Sequence, residues 1–214
     1  MVHDEIRDRL LEATLPQVAF DGWVDRSLRQ GATDAGLPPE TLARVFPGGA
    51  IQMIEHWSAR SDRRMMAAMD KLDLAGMGVG HRVAAAVRLR LEVCLPYREA
   101  VRRALAVLAI PTNGLVAARL TYDTVNAIWY AAGDTATDFS YYTKRALLVP
   151  VYGSTVLFWL DDESEEFADT WAFLDRRIGD VMQIAKIQTR LQQGPRFRLR
   201  WRGRWRPGAR RRPA

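Results

Sequence analysis

One cysteine, three scattered histidines and no long uninterrupted apolar run set the first limits on this 214-residue chain. Cys94 has no partner for an intrachain disulfide, and between Val93 and Leu95 it reads as a buried structural thiol rather than a nucleophile. The opening segment carries the acids Asp4 and Glu5, unlike a secretory signal, which is basic and then apolar, so a reducing, cytoplasm-facing compartment is expected. None of His3, His56 and His81 follows a glutamate by three, which excludes the Glu-x-x-His pattern of di-iron helix bundles. Missing too are a G-x-S-x-G elbow, a P-loop, a G-x-G-x-x-G fingerprint and paired zinc cysteines. No catalytic residue, metal or cofactor is therefore expected, and the chain does not read as an enzyme. The longest apolar stretch, Ala146–Leu160, contains Pro150 and Gly153 and falls short of the roughly 20 residues a bilayer core requires, so no transmembrane helix is expected.

What is present is an ordinary folded composition, 48% hydrophobic and 26% charged, with its charge unevenly placed. The net +6 is owed to nine arginines between Gly194 and Ala214, a segment with no acid, so residues 1–193 carry a net −3. Apolar residues recur at helical spacing throughout, and strand signals are scarce. The pattern predicts helices from Glu5 to Gly22, over Asp25–Ala35, and from Pro38-Pro39, with Gly36 as a left-handed cap. A longer helix from Gly48 towards Leu74 is broken by Gly76, Gly78 and Gly80. Helices over Arg82–Leu95, Pro96–Ile110 and Pro111–Ala132 follow. Asp138–Leu160 is apolar nearly all round and reads as the central helix, kinked at Pro150. The last helix starts at Ser164, a good N-cap, and ends at Gly194-Pro195.

The expected class is all-α: a helical bundle, 1–193, with a helix-turn-helix-like part over 1–47, ligand-binding helices over 48–193, and a flexible Arg/Trp-rich tail over 194–214. The segment AFDGWVDRSLRQGATDAGLPPETLARVFPGG resembles a TetR-type helix-turn-helix. DNA binding needs cations, yet residues 1–60 carry six arginines against nine acids, and the third helix offers only Thr41 and Arg44 as base readers. No DNA partner is expected, and a TetR-type ligand-responsive regulator is the alternative function. Met65, Met69, Leu105, Leu108, Leu120 and Ile128, with Val149, Tyr152, Phe158, Phe173 and Met182, lie on helices that must face one another. They form either a packed core or, around a kinked helix, the wall of an elongated lipid cavity.

The run WYAAGDTATDFSYYTKRALLVPVY from Trp129 and the later FADTWAFLDRRIGDVM from Phe167 resemble the COQ9 family, accessory proteins of ubiquinone biosynthesis. LPYREAVRRAL, PTN and AFDGW add to the likeness, which spans about residues 10–190. The resemblance implies a TetR-like fold, usually homodimeric, that binds a polyprenyl quinone intermediate or another isoprenoid lipid. It further implies that the protein presents this lipid to the demethoxyubiquinone hydroxylase without catalysis of its own. It also implies hydroxylase contact at Tyr141 and Tyr142. Trp129 and Tyr130 read as either core or part of the same partner patch, Arg145 shares the helical face of Tyr141 and is assigned to the patch with Trp129, and Asp138 reads as a helix N-cap. Asn126 stands where the family has an acid. In the tail, Arg198, Arg200, Trp201, Arg202, Arg204 and Trp205 follow a period of two, which is not helical. Arginines near an anionic leaflet contribute about 1 kcal/mol each, so the tail reads as a membrane-binding segment, with RNA binding or plain solvation as alternatives. A cytoplasmic protein, peripheral on the inner face of a bacterial membrane, is the resulting expectation.

Overall fold

The structure is a computed structural model that describes residues 2–134 and 139–192. Among these residues there is no strand, and nine α-helices follow one another: α1 Val2–Asp21, α2 Asp25–Asp34, α3 Pro39–Val45, α4 Gly49–Met69, α5 Val79–Cys94, α6 Arg98–Leu108, α7 Gly114–Ala131, α8 Phe139–Asp161 and α9 Ala168–Gln192. Short 3₁₀ turns at Leu95–Tyr97, Pro111–Asn113 and Glu165–Phe167 lead into α6, α7 and α9.

The first three helices form because α1 puts Leu10, Leu11, Leu15 and Val18 on one buried face against α2. Gly31 of α2 lies so close to α1 that a Cβ there would sit 2.0 Å from Thr14 Oγ1 and 2.8 Å from Thr14 Cα. Only a hydrogen atom fits this crossing. The turn to α3 passes through Gly36 at φ +63°, the left-handed cap that the sequence predicts. Trp23, in the α1–α2 turn, donates from Nε1 to the Ala100 carbonyl of α6 at 3.0 Å and stacks obliquely on Trp57 of α4, fastening the N-terminal helices to the bundle.

Two apolar cores divide the molecule. The first joins α1–α4 to α5, α6 and the C-terminal half of α8, and the second joins the end of α4 to α5, α7, α8 and α9. Tyr152 and Trp171 pack against both.

Three sequence expectations are corrected. α4 ends at Met69, and α5 starts at Val79, so Gly80 lies inside a helix. A Cβ there would come within 3.4 Å of Met182 and 3.5 Å of Ile178, which makes Gly80 a contact point with α9 rather than a breaker. α8 is one uninterrupted helix through Pro150, and it is not central: Tyr142, Ala146, Pro150 and Leu157 form an exposed stripe. Its all-round apolarity comes from having a core on one side and an open apolar face on the other. Finally, the chain reaches α9 through a tighter turn than Ser164 alone explains. Asp162 Oδ1 accepts from Ser164 N at 2.8 Å, Oδ2 accepts from Thr170 N at 2.9 Å and from Thr170 Oγ1 at 2.5 Å, while Ser164 Oγ accepts from Asp169 N at 3.1 Å.

Candidate functional site

Between α4, α5, α6, α7 and α8 lies a cavity of about 290 Å³. The amphipathic spacing of α6 turns Val101, Ala104, Leu105 and Leu108 towards it, α7 adds Leu120, and α8 adds Tyr152, Gly153, Val156, Leu157 and Trp159. Small residues make the room. Ala104 reaches only as far as its methyl, and a Cβ on Gly153 would meet nothing within 4 Å. α6 is held over α8 because Arg98 donates to the Trp159 and Asp162 carbonyls at 2.6 and 2.7 Å and Arg102 donates to that of Leu160. These cations satisfy helix-end carbonyls and meet the negative end of the α8 dipole. Leu157, 60% exposed, stands at the rim.

One wall of this greasy space is polar. Arg90 of α5, almost wholly buried, donates from Nε to Asp62 Oδ1 of α4 at 2.6 Å, from Nη1 to Cys94 Sγ at 2.9 Å and, more weakly, from Nη2 to Ser58 Oγ at 3.4 Å. Thr124 Oγ1 lies 3.1 Å from both Asp62 oxygens, and the Cys94 thiol faces Ser61 Oγ at 3.7 Å. Burial works against the Arg90 charge, but Tyr152, Cys94 and Asp62 together outweigh it and hold its pKa above arginine's ordinary value. Burial pushes the Tyr152 phenol up to about 12, more than the neighbouring Arg90 charge takes away, so it stays protonated across the physiological range. Cys94 is buried, as expected from the sequence, but its surroundings are ionic on one side.

Of the eleven residues assigned to lipid from sequence, Leu105, Leu108, Leu120 and Tyr152 line the cavity. The others do not. Met65, Met69 and Ile128 fill the second core, with Val149 and Met182 packed against it. Phe158 and Phe173 stack on each other, ring centroids 4.8 Å apart, at the α8–α9 surface. Helical periodicity identifies a buried face without telling a filled space from an empty one. Trp57, Arg90 and Thr124 were missed because their cavity role depends on helices that are distant in sequence.

A second cluster sits where α7 meets the start of α8. Tyr142 is exposed, as are Tyr122 and, further along α7, Tyr130. Tyr141 donates to Asn126 Oδ1 at 3.1 Å, lies 3.2 Å from the Tyr122 hydroxyl, and meets Tyr142 edge to face. Arg145 is buried beneath: it donates to Asn126 Oδ1 at 2.8 Å, to Asp134 Oδ2 at 3.2 Å and to the Tyr141 carbonyl at 3.1 Å, with its guanidinium over the Tyr141 ring. Lys144 pairs with Asp134 at 2.6 Å. Two sequence assignments are corrected here. Trp129 is 2% exposed and donates to the Lys144 carbonyl, and Arg145 is 4% exposed, so both hold the patch from below and neither is free to touch a partner. Tyr130 is exposed, as the patch reading of the sequence allowed, and Tyr122 is a surface residue that the sequence did not single out. Asn126 accepts through its amide oxygen, and Asp134 supplies the negative charge for Arg145. Asp138 and the tail residues Arg198, Arg200, Trp201, Arg202, Arg204 and Trp205 lie outside the described residues.

Among the described residues no three His, Cys, Asp or Glu side chains converge as metal ligands would, and no single helix is long and apolar enough to cross a membrane. Of the two base readers considered on α3, Thr41 is buried and Arg44 exposed.

An N-terminal three-helix unit on a helical body with an internal cavity defines a TetR-like all-α protein. The TetR transcriptional regulator from Nitrosomonas europaea superposes with a TM-score of 0.70 at 19% identity, covering 84% of this chain and 99% of that one, a likeness of fold. Residues 115–185 match the COQ9 family model. The mitochondrial ubiquinone biosynthesis protein COQ9 of Rattus norvegicus is 33% identical over 188 residues, and that of Homo sapiens is 31% identical over 188 residues. Each alignment covers 85% of this chain, with 60% of the rat and 59% of the human protein. The probable mitochondrial coq9 of Dictyostelium discoideum is 27% identical over 195 residues, 88% of this chain and 64% of that protein. Residues 115–185 thus carry the COQ9 family match, and most of the chain is similar to COQ9 proteins. The chain spans about 60% of the length of the mammalian relatives.

Proposed function

We propose that this protein is a non-catalytic accessory protein of ubiquinone biosynthesis that shelters a polyprenyl quinone precursor and presents its head to the demethoxyubiquinone hydroxylase. The observation that carries this reading is the half-open apolar cavity lined by α4–α8, in a chain whose relatives are named for that biosynthesis. At about 290 Å³ the cavity stands at the lower edge of the roughly 300–1,000 Å³ of ligand pockets, so it takes one end of a long isoprenoid and the rest leaves past Leu157. The tyrosine patch supplies a flat apolar surface with wet tips, suited to a protein partner. The exposed α8 stripe favours a homodimer, and the arginine-rich tail an anionic membrane surface.

Solvent extraction of the purified protein followed by mass spectrometry tests the reading: an isoprenoid is expected, and recovery of no lipid at all rejects it. The alternative, a ligand-responsive regulator, rests on α2 and α3 alone. It predicts a salt-sensitive shift of DNA from the protein's own upstream region, against the net negative charge of residues 1–60 and the burial of Thr41.

A further inference from the structure

We propose that the arginine-rich tail of this chain, residues 194–214, docks on the chain's own α8–α9 corner, in a groove floored by Leu157 and Phe158 and rimmed by Glu163 and Asp169. The proposal does not depend on what the cavity holds.

The groove is an apolar surface with an acidic border. It runs over Ser154, Leu157 and Phe158 of α8 to Asp161, Glu163 and Asp169, and it is open to solvent. Leu157 and Phe158 are exposed, and Phe158 is steadied by stacking on Phe173. From Asp161 to Asp175 the chain has seven acids and no base. Asp161 pairs with Arg102 and Asp162 is spent on the turn, but among the described residues Glu163, Glu165, Glu166 and Asp169 pair with no cation. The acidic N-terminal helices differ in this respect. There Asp8 and Glu12 pair with Arg60, Asp21 with Arg26, Asp25 with Arg29 and Glu55 with Arg119. The α8–α9 corner therefore offers free carboxylates beside uncovered apolar side chains.

The tail has the complementary make-up. Its nine arginines have no acid among them, and Phe197, Leu199, Trp201 and Trp205 stand between the first of them. Residues two apart share one side of an extended chain, so such a segment offers guanidinium groups on one side and aromatic rings on the other. Guanidinium forks match carboxylates and also stack on rings. Each exposed pair contributes little alone, but a tethered segment is held at an effective concentration of about 1 mM, so weak contacts suffice to seat it.

The chain is long enough to return. α9 has 25 residues, with the groove at its start and the tail at its end. At 1.5 Å per residue it is about 37 Å long, and an extended chain advancing about 3.3 Å per residue covers that with about eleven residues. The part that arrives at the groove then holds Arg204, Trp205, Arg206, Arg210, Arg211 and Arg212. Leu157 belongs to both the groove and the cavity rim, so a tail seated here also covers the cavity mouth. Arginines held there are withheld from any other anionic surface.

The test uses the full chain, isotope-labelled for amide spectra and carrying a nitroxide at Ala209→Cys. Cys94 is buried and stays unlabelled. In dilute salt the amide signals of Leu157, Phe158, Glu163 and Asp169 are expected to fall at least about twofold below those of the same sample with the nitroxide reduced, because a tethered segment is docked most of the time. In about 1 M salt, which screens charges beyond about 3 Å, the difference is expected to close. Glu163→Lys combined with Asp169→Lys reverses two exposed charges and is expected to close it as well. Undiminished signals at the corner in dilute salt overturn the proposal, as does loss centred on residues 1–60 or loss that persists in high salt. A mixture of isotope-labelled unmodified protein with unlabelled nitroxide-bearing protein separates docking within one chain from docking on a second copy. Signal loss in the mixture as large as in the doubly labelled chain overturns the proposal, and its absence there supports it. The salt comparison decides the question if the charge-reversed variant does not fold.

Discussion

At the scale of single residues, buried polar groups carry the most specific information. Asp162 fastens the α8–α9 turn with both carboxylate oxygens, and this has a measurable acid signature. Burial alone would raise its pKa, but hydrogen bonds from Ser164 and Thr170 outweigh that and lower it to about 2. A folded-state pKa below the unfolded value gives stability that is fully present above about pH 4 and is lost as pH falls towards 2. Asp162→Ala is therefore expected to lose about 1–2 kcal/mol in denaturant unfolding at pH 7, with the gap to the unmodified protein closing at pH 2.5. An equal gap at both pH values would contradict the assignment. His56 behaves in the same sense at a higher pH. Burial lowers its pKa more than the 2.7 Å bond to Asp8 raises it, so acidification below 6.5 favours the unfolded chain. Neither role was legible in the sequence. Ser164 looked like the cap because its type and place fit, whereas Asp162 became the hub only when the Glu165–Phe167 turn, with Glu166 at φ 51° and Phe167 at φ 60°, brought Thr170 back to it.

At the scale of elements, helix positions were well predicted because periodicity and proline or glycine punctuation are local. The three N-terminal helices, the break before Pro96 and the start at Pro111 all stand within a few residues of expectation. Contacts between helices were not local and were not foreseen. Gly31 is the sharpest example, since nothing in its own helix distinguishes it from an ordinary mid-helix residue. Gly31→Ala improves helix propensity by about 1 kcal/mol, yet it places a methyl group 2.0 Å from Thr14 Oγ1. The clash is expected to win, with a net loss of about 1–3 kcal/mol in thermal or denaturant unfolding, and Gly31→Ala combined with Thr14→Gly is expected to recover part of it. A stabilised single variant would show that α1 and α2 do not cross as closely as described.

At the scale of the whole molecule, the arrangement separates the apolar cavity from the exposed tyrosine patch. The cavity lies between α4 and α8, and the tyrosine patch lies at the other end of α8, carried on the same helix. Tyr142 is 67% exposed and meets the Tyr141 ring edge to face, so Tyr142→Asp adds a charge at a largely solvated position, and it is expected to abolish hydroxylase association in a pull-down with little change in melting temperature. Arg145→Ala serves as the contrast: it removes the buried guanidinium beneath the patch, with its bonds to Asn126 and the Tyr141 carbonyl, so it is expected to weaken association and lower the melting temperature together. Undiminished association in Tyr142→Asp would remove the patch from the interface.

The sequence by itself determined the helical class, the approximate helix limits, the acidic reading head and the family motifs, because each is written in neighbouring residues or in their charge. Tertiary structure alone decided which apolar side chains fill space and which enclose it, and that Arg90, Asp62, Thr124 and Tyr152 share one wall. Those residues come from α4, α5, α7 and α8, and only the packing of these helices brings them within reach of one another.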